Sequence, residues 1–361
     1  MSSKALKPPA HINTSPMYSF QLRRMGLTAL VTLFASTILV AFLMPFAYMT
    51  LTSLKNRDQI VNSTRGTVLP VDTVTFDYEG ETLDILNVPF EDGMRQLAIL
   101  QRQRRSSTFI DPTNPSADPV VWEGSWRTLD PVRELSPRWD NYRTAWQEIG
   151  FPRLLFNTAF IAFVGLIGTL LSCISVAYAF ARFPLPLKNV MFMVLIATII
   201  LPRQVMLVPT FAFFSYIGWT NTWLPLIVPH FFANAYNVFL LRQYFLQLPR
   251  ELDEAAMIDG AGPFKILTSV IVPQSWPVII SVALFHLVFA WNDYFEPLIY
   301  TLGNPKLQPL AVGIQQFNFL YGAEPHLIQA TALLGLIIPV LLFFFAQGVF
   351  MKGVVVTGVD K

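Results

Sequence analysis

Five long runs of this chain carry almost no charge, and that pattern decides what it can fold into. Met25–Leu54, Leu154–Ala181, Ile266–Asn292 and Leu327–Met351 contain no Asp, Glu, Lys or Arg, and Asn189–Leu241 contains only Arg203. A hydrocarbon core about 30 Å thick is crossed by about 20 residues of helix, which satisfies its own backbone there. The Asn189–Leu241 run is too long for one crossing. Tyr216–Trp223, YIGWTNTW, divides it with Gly and Asn turn formers and interfacial Trp. The expected fold is therefore an all-α membrane protein with six transmembrane helices. Charged residues make up only 13% of the chain, about half the share usual in soluble domains.

Arg23 and Arg24 precede the first run as they would in a secretory signal. The run is too long for a signal's apolar region and closes on no small-residue cleavage site, so a retained span is expected. With the N-terminus inside, the short inner segments hold Lys4, Lys7, Arg23, Arg24, Arg182, Lys188, Arg242, Arg250, Lys265, Lys352 and Lys361, and the short outer ones only Lys306. That bias places both termini in the cytoplasm, with tails at 1–24 and 353–361, a first helix at 25–54 and a helical core at 153–352. A net charge of +2 and no basic cluster beyond Arg102, Arg104 and Arg105 leave no footprint for nucleic acid. The lone Cys173 forms neither a disulfide framework nor a Cys-based metal site.

Residues 55–152 form a polar insertion that this orientation puts outside the cell. VTFDYEGETLDIL alternates apolar residues around Glu79-Gly80 and reads as a β-hairpin, GMRQLAILQRQRR reads as a basic helix, and Asp111–Pro119 is a turn-rich linker. A small strand-rich subdomain is expected, with an irregular spacer as the alternative.

Between the fourth and fifth apolar runs lies ELDEAAMIDGAGPFKILTSVIVP, Glu251–Pro273. Pro249 suits the first turn of a helix, and Glu251, Asp253 and Glu254 sit where the helix dipole favours negative charge. Gly260 and Gly262 are stop signals, and Pro263 opens a second helix. Leu252, Ala255 and Ala256 share one face by their spacing while Met257 and Ile258 point elsewhere, so the short helix that opens the segment 249–273 is either enclosed by a partner or simply part of an inner loop.

These residues resemble the cytoplasmic signature of permease subunits of binding-protein-dependent ABC importers: Glu254-Ala255-Ala256, then Gly260, then Val270, Val272 and Pro273. LPRELDEAAMIDGAG, WNDYFEPLIY, LAVGIQQF and FMKGVVVTGVDK are similar to the carbohydrate-type branch that includes the maltose permease, and the resemblance covers all but about 56–134. It implies a type I importer permease in a bacterial or archaeal cytoplasmic membrane. Its partners would be a homologous permease subunit, two ATPase subunits that bind ATP and Mg, and an extracytoplasmic solute-binding protein, with a carbohydrate as substrate. Glu251, Glu254, Ala255, Ala256, Asp259, Gly260, Gly262 and Pro273 would form the ATPase-coupling segment. The chain itself has no Gly-Lys dipeptide and hence no P-loop.

Polar groups deep in apolar runs are functional candidates by default. Arg203, 15 residues past Lys188, would lie about 22 Å along a straight helix. With His230, Asn234, Asn237, Asn292 and Asp293 it is a candidate for the translocation path; Glu296 lies near Asp293, and His286 reads as a packing residue. The four histidines are scattered, with no metal-ligating or catalytic constellation. Two rivals to the importer remain: an ion-gradient-driven secondary transporter, which would want paired intramembrane carboxylates, and a membrane glycosyltransferase-like enzyme with its site in the insertion.

Overall fold

A computed structural model of the chain describes residues 16–61, 67–90, 93–319 and 324–355, so most of both expected tails lies outside the described residues. The principal helices are α1 (Pro16–Ser53), α2 (Asp140–Glu148), α3 (Phe151–Arg182), α4 (Lys188–Ala197), α5 (Arg203–Tyr216), α6 (Ala235–Gln247), α7 (Glu251–Ile258), α8 (Trp276–Asn292), α9 (Phe295–Tyr300) and α10 (Pro325–Val355).

Among the described residues four helices are long and apolar enough to cross a membrane: Arg23–Ser53, Phe151–Arg182, Leu224–Gln247 and Pro325–Gly348. The other two expected spans are broken. Lys188–Ile200 and Arg203–Tyr216 meet at 100°, and Pro263–Gln274 and Trp276–Asn292 at 83°. Proline accounts for both breaks. Leu201 precedes Pro202, which disfavours helical backbone, and Leu201 and Pro202 are both extended at ψ 118° and 130°. Around Ser275, Pro273 and Pro277 each withhold a helix N–H. The straight-helix depth of about 22 Å for Arg203 therefore does not hold, because Arg203 opens a new helix on a different course.

α3 is the centre of the bundle. Its Cys173, Ala177, Phe180 and Ala181 pack with Val238, Leu241 and Phe245 of α6 and with Ile266, Ile271, Ile279 and Val282. Toward its start, Phe151 and Leu154 pack with Ala145 and Ile149, with Leu310 and Phe317, and with Leu327 and Ala330 of α10. Gly168 lets the Phe231 ring approach α3, since a Cβ there would lie 2.7 Å from that ring. α1 lies along α10 and exposes Leu33, Phe34, Val40, Phe42 and Met44. An apolar surface of that extent is compatible with lipid rather than water.

The expected strand-rich subdomain is present. Strands β2 (Thr75–Tyr78), β3 (Glu81–Phe90), β4 (Gly93–Gln101), β5 (Ser106–Ile110) and β6 (Val120–Glu123) pair antiparallel in that order, β7 (Asp130–Pro131) joins β3, and β1 (Val71–Thr73) pairs with β8 (Arg133–Leu135). The β2–β3 hairpin turns at Glu79 and Gly80, both at positive φ (50° and 86°), as a two-residue turn requires. The basic helix expected from GMRQLAILQ is instead β4. Leu97 and Ile99 pack in one hydrophobic cluster and Ala98 in another, so this central strand is buried on both faces and packing overrides helix propensity.

The subdomain is tied to the bundle at the end of α1. Asn141 Nδ2 of α2 donates to Ser53 O (2.7 Å) and Lys55 O (2.9 Å), satisfying carbonyls that the helix terminus leaves free. Arg57 Nη1 reaches Glu324 Oε1 at 3.2 Å, just before α10.

Candidate functional site

The charged segment forms a helix, a corner and a second short helix. α7 begins at Glu251 rather than at Pro249, because Leu248, preceding the proline, is extended (ψ 134°). Gly260 turns the chain at φ 76°, a conformation that strains any residue with a Cβ, and Ala261 N bonds back to Ala256 O at 2.9 Å. Gly262 is extended and precedes Pro263, the first residue of the helix Pro263–Ile266. Pro273 lies beyond a π-helical turn at Leu267–Ile271, in the turn Val272–Gln274.

The face expected from Leu252, Ala255 and Ala256 is divided. Leu252 and Ala256 are half-buried, and Ala256 packs on the α3–α6 core, while Ala255 is exposed with Glu251, Glu254 and Asp259. Met257 (59% exposed), Ile258 (86%) and Phe264 (78%) stand out around the corner. Three large apolar side chains on a charged segment make a surface that water alone does not favour.

One carboxylate of α7 turns inward. Asp253 Oδ2 lies 2.8 Å from Arg182 Nε at the end of α3, with side chains only 8% and 7% exposed. Arg182 Nη2 also donates to Leu248 O at 3.0 Å. Neither residue was among the sequence candidates; Arg182 is indistinguishable there from any flanking cation. The pair fixes α7 to the far end of α3, a helix of 32 residues and so about 48 Å long.

Within the bundle, polar groups from several helices converge. Arg203 Nη2 donates to Glu296 Oε1 at 2.6 Å, and its guanidinium lies 4.2 Å from the Phe289 ring centroid. Phe289, Asp293 and Glu296 line a cavity of about 20 Å³ together with His230. The His230 and His286 rings meet edge to face at 4.6 Å, with Thr169 Oγ1 3.4 Å from His230 Nδ1 and 3.1 Å from His286 Nδ1. Gly165 makes room for both rings, since a Cβ there would lie 3.0 Å from His230 and 3.1 Å from His286.

Arg203, His230 and Asp293 are thus brought together, with Glu296, His286 and Thr169 beside them. The asparagines are not part of this group. Asn234 caps α6 by accepting from Asn237 N at 3.0 Å, Asn237 is buried at the start of that helix, and Asn292 donates back to Val288 O at 2.8 Å. Among the described residues no group of three His, Cys, Asp or Glu is placed to hold a metal.

Residues 168–355, which hold both α7 and the intramembrane cluster, match the family described as binding-protein-dependent transport system inner membrane component. The chain belongs to this family. It is a membrane transport subunit and not the enzyme of its system. It is 28% identical over 255 residues to an osmoprotective compounds uptake permease protein of Synechocystis sp., covering 70% of this chain and 85% of the relative. It is 32% identical over 211 residues to the sn-glycerol-3-phosphate transport system permease protein of Rhizobium meliloti, covering 58% and 74%. Among solved structures, a chain of a bacterial ABC transporter involved in import of the acidic polysaccharide alginate superposes with TM-score 0.61 over 92% of this chain and 99% of that one. Its 18% identity makes this a likeness of fold, the type I permease fold, and it extends across most of the insertion as well as the bundle.

Proposed function

We propose that this permease subunit, paired with a homologous permease, carries a sugar or a related hydroxylated solute into the cytoplasm by alternating access. The solute arrives on an extracytoplasmic binding protein. Two ATPase subunits binding ATP and Mg drive the cycle from the cytoplasmic side. Both termini and α7 lie on that side, and the sheet subdomain lies outside, as the bias of Lys and Arg in the short loops favours.

The observation that carries this reading is the corner at Gly260. A short helix with exposed Met257 and Ile258, followed by exposed Phe264, presents an apolar surface to a partner, and the buried Arg182–Asp253 pair ties it to α3. Closure of the ATPases against that surface would move α7 and α3 as one body, a rigid-body coupling of two sites. The converging Arg203, His230, Asp293 and Glu296 are the proposed polar part of the path. Similarity to relatives named for uptake of osmoprotective compounds and of sn-glycerol-3-phosphate supports the substrate class.

Purification of the chain from its native membrane in mild detergent tests the proposal. An ATP-hydrolysing subunit should accompany it, and hydrolysis should rise when a sugar-loaded binding protein is added. A chain that purifies alone and moves solute into liposomes without ATP contradicts it.

A further inference from the structure

Where the sheet subdomain meets the end of α1, a cleft of about 1030 Å³ opens between the short helix Arg57–Val61 and strands β1, β2, β7 and β8. Its size is that of a site for a small organic ligand. Two guanidiniums in its wall, Arg127 and Arg133, have no carboxylate within ion-pair distance among the described residues, whereas Arg138 is paired with Asp72 at 2.8 Å. Arg127 and Arg133 are exposed, and Arg127 lies over the Trp126 ring at 5.2 Å, with Arg102 at 5.2 Å from the same ring. Asp58, exposed, is the remaining carboxylate of the wall.

A second, independent observation lies on the opposite wall. Gln59 holds both side-chain amide atoms buried without any hydrogen-bond partner, and Arg138 Nε is in the same condition. Buried polar atoms are nearly always paired, because leaving one unpaired costs about 1–3 kcal/mol. Here three such atoms border one cleft: a donor and an acceptor on Gln59 and a donor on Arg138. Spare cationic charge beside an unused amide donor and acceptor matches an anion that also carries hydroxyl groups.

We infer that this cleft is a binding site for a small hydroxylated anion, a sugar acid or a sugar phosphate, with Arg127 and Arg133 taking the charge and Gln59 the hydroxyls. The site stands apart from the intramembrane path and from α7; only its location outside the cell rests on the proposed orientation.

The test is calorimetric titration of the purified full chain with glucuronate, glucose 6-phosphate and glucose. At least one anion should bind saturably, and glucose should not; the two anions separate carboxylate from phosphate recognition. The double variant Arg127→Gln/Arg133→Gln and the single variant Gln59→Leu should each weaken binding by at least about tenfold, while Arg104→Gln, outside the cleft, should leave it unchanged. Thermal melts like the parent's would establish that these variants are folded. Failure of both anions to bind, equal binding of glucose, or undiminished binding by folded variants would overturn the site. So would variants that lose only stimulation by the binding protein, which would make the cleft a protein-docking surface. ATP-driven uptake through the bundle would survive any of these results.

Discussion

Arg182 Nε and Asp253 Oδ2 stand 2.8 Å apart, both side chains less than a tenth exposed, and join the end of α3 to the first turn of α7. Charges so far from water are retained only as a pair, since removing one partner leaves the other buried and uncompensated at a cost of about 3–5 kcal/mol.

Arg182→Ala or Asp253→Asn should therefore lower the melting temperature of the purified subunit and reduce uptake more than ATP hydrolysis, because α7 would no longer move with α3. The exchange Arg182→Asp/Asp253→Arg should recover part of both. A double-mutant cycle on melting checks it; additive losses would show that the pair is not a coupled unit.

The corner at Gly260 makes a conformational prediction. At φ 76°, a Cβ costs about 1–2 kcal/mol, and proline, fixed near φ −65°, cannot adopt the turn at all. Gly260→Ala should slow uptake modestly and Gly260→Pro should abolish it with the protein still inserted. Glu254→Lys, at an exposed position, should uncouple hydrolysis from uptake without loss of thermal stability. Equal uptake by all three variants would sink the assignment of this segment to coupling.

Gly168 supports the interior rather than the corner. Its missing Cβ would sit 2.7 Å from Phe231, so Gly168→Ala should destabilise by about 1–3 kcal/mol, the usual cost of overpacking. Gly168→Ala/Phe231→Leu should be closer to the parent in a thermal melt than Gly168→Ala alone.

In the intramembrane cluster, Glu296→Gln would leave Arg203 without its anion, and Arg203→Gln would do the converse to Glu296. Each should reduce the rate of solute uptake by about tenfold or more, the scale of a 1.4 kcal/mol change, whereas Asn292→Ala should have little effect, since its side chain bonds only its own helix. Initial uptake rates, normalised to inserted protein, check this; a larger loss in Asn292→Ala would move the path.

Much of the architecture was legible in the sequence because lipid imposes a simple rule on it. Uncharged runs located the spans, Glu79-Gly80 located a hairpin, and Gly260 located a corner. Three things were not legible. Proline at 202 and the Pro273–Pro277 pair bend two spans, and hydropathy, which averages over such residues, registers only length. The strand at Leu97–Ile99 looked helical because its burial on two faces depends on neighbours distant in sequence. Asp253 was grouped with Glu251 and Glu254 as first-turn charge, since only the arrival of Arg182 from α3 makes it different from them.

The most direct measurement of the central claim uses the most exposed apolar residue of α7. Ile258 is 86% exposed, and the one native cysteine, Cys173, is buried, so Ile258→Cys offers a single reactive thiol. In inside-out native membranes, a short reagent with one thiol-reactive end and one photoactivatable end should crosslink it to an ATP-hydrolysing subunit, with a yield that changes when ATP is added. A thiol that reacts only from the opposite face, or that crosslinks to nothing while uptake continues, would contradict the assignment of α7 as the element through which ATP drives transport.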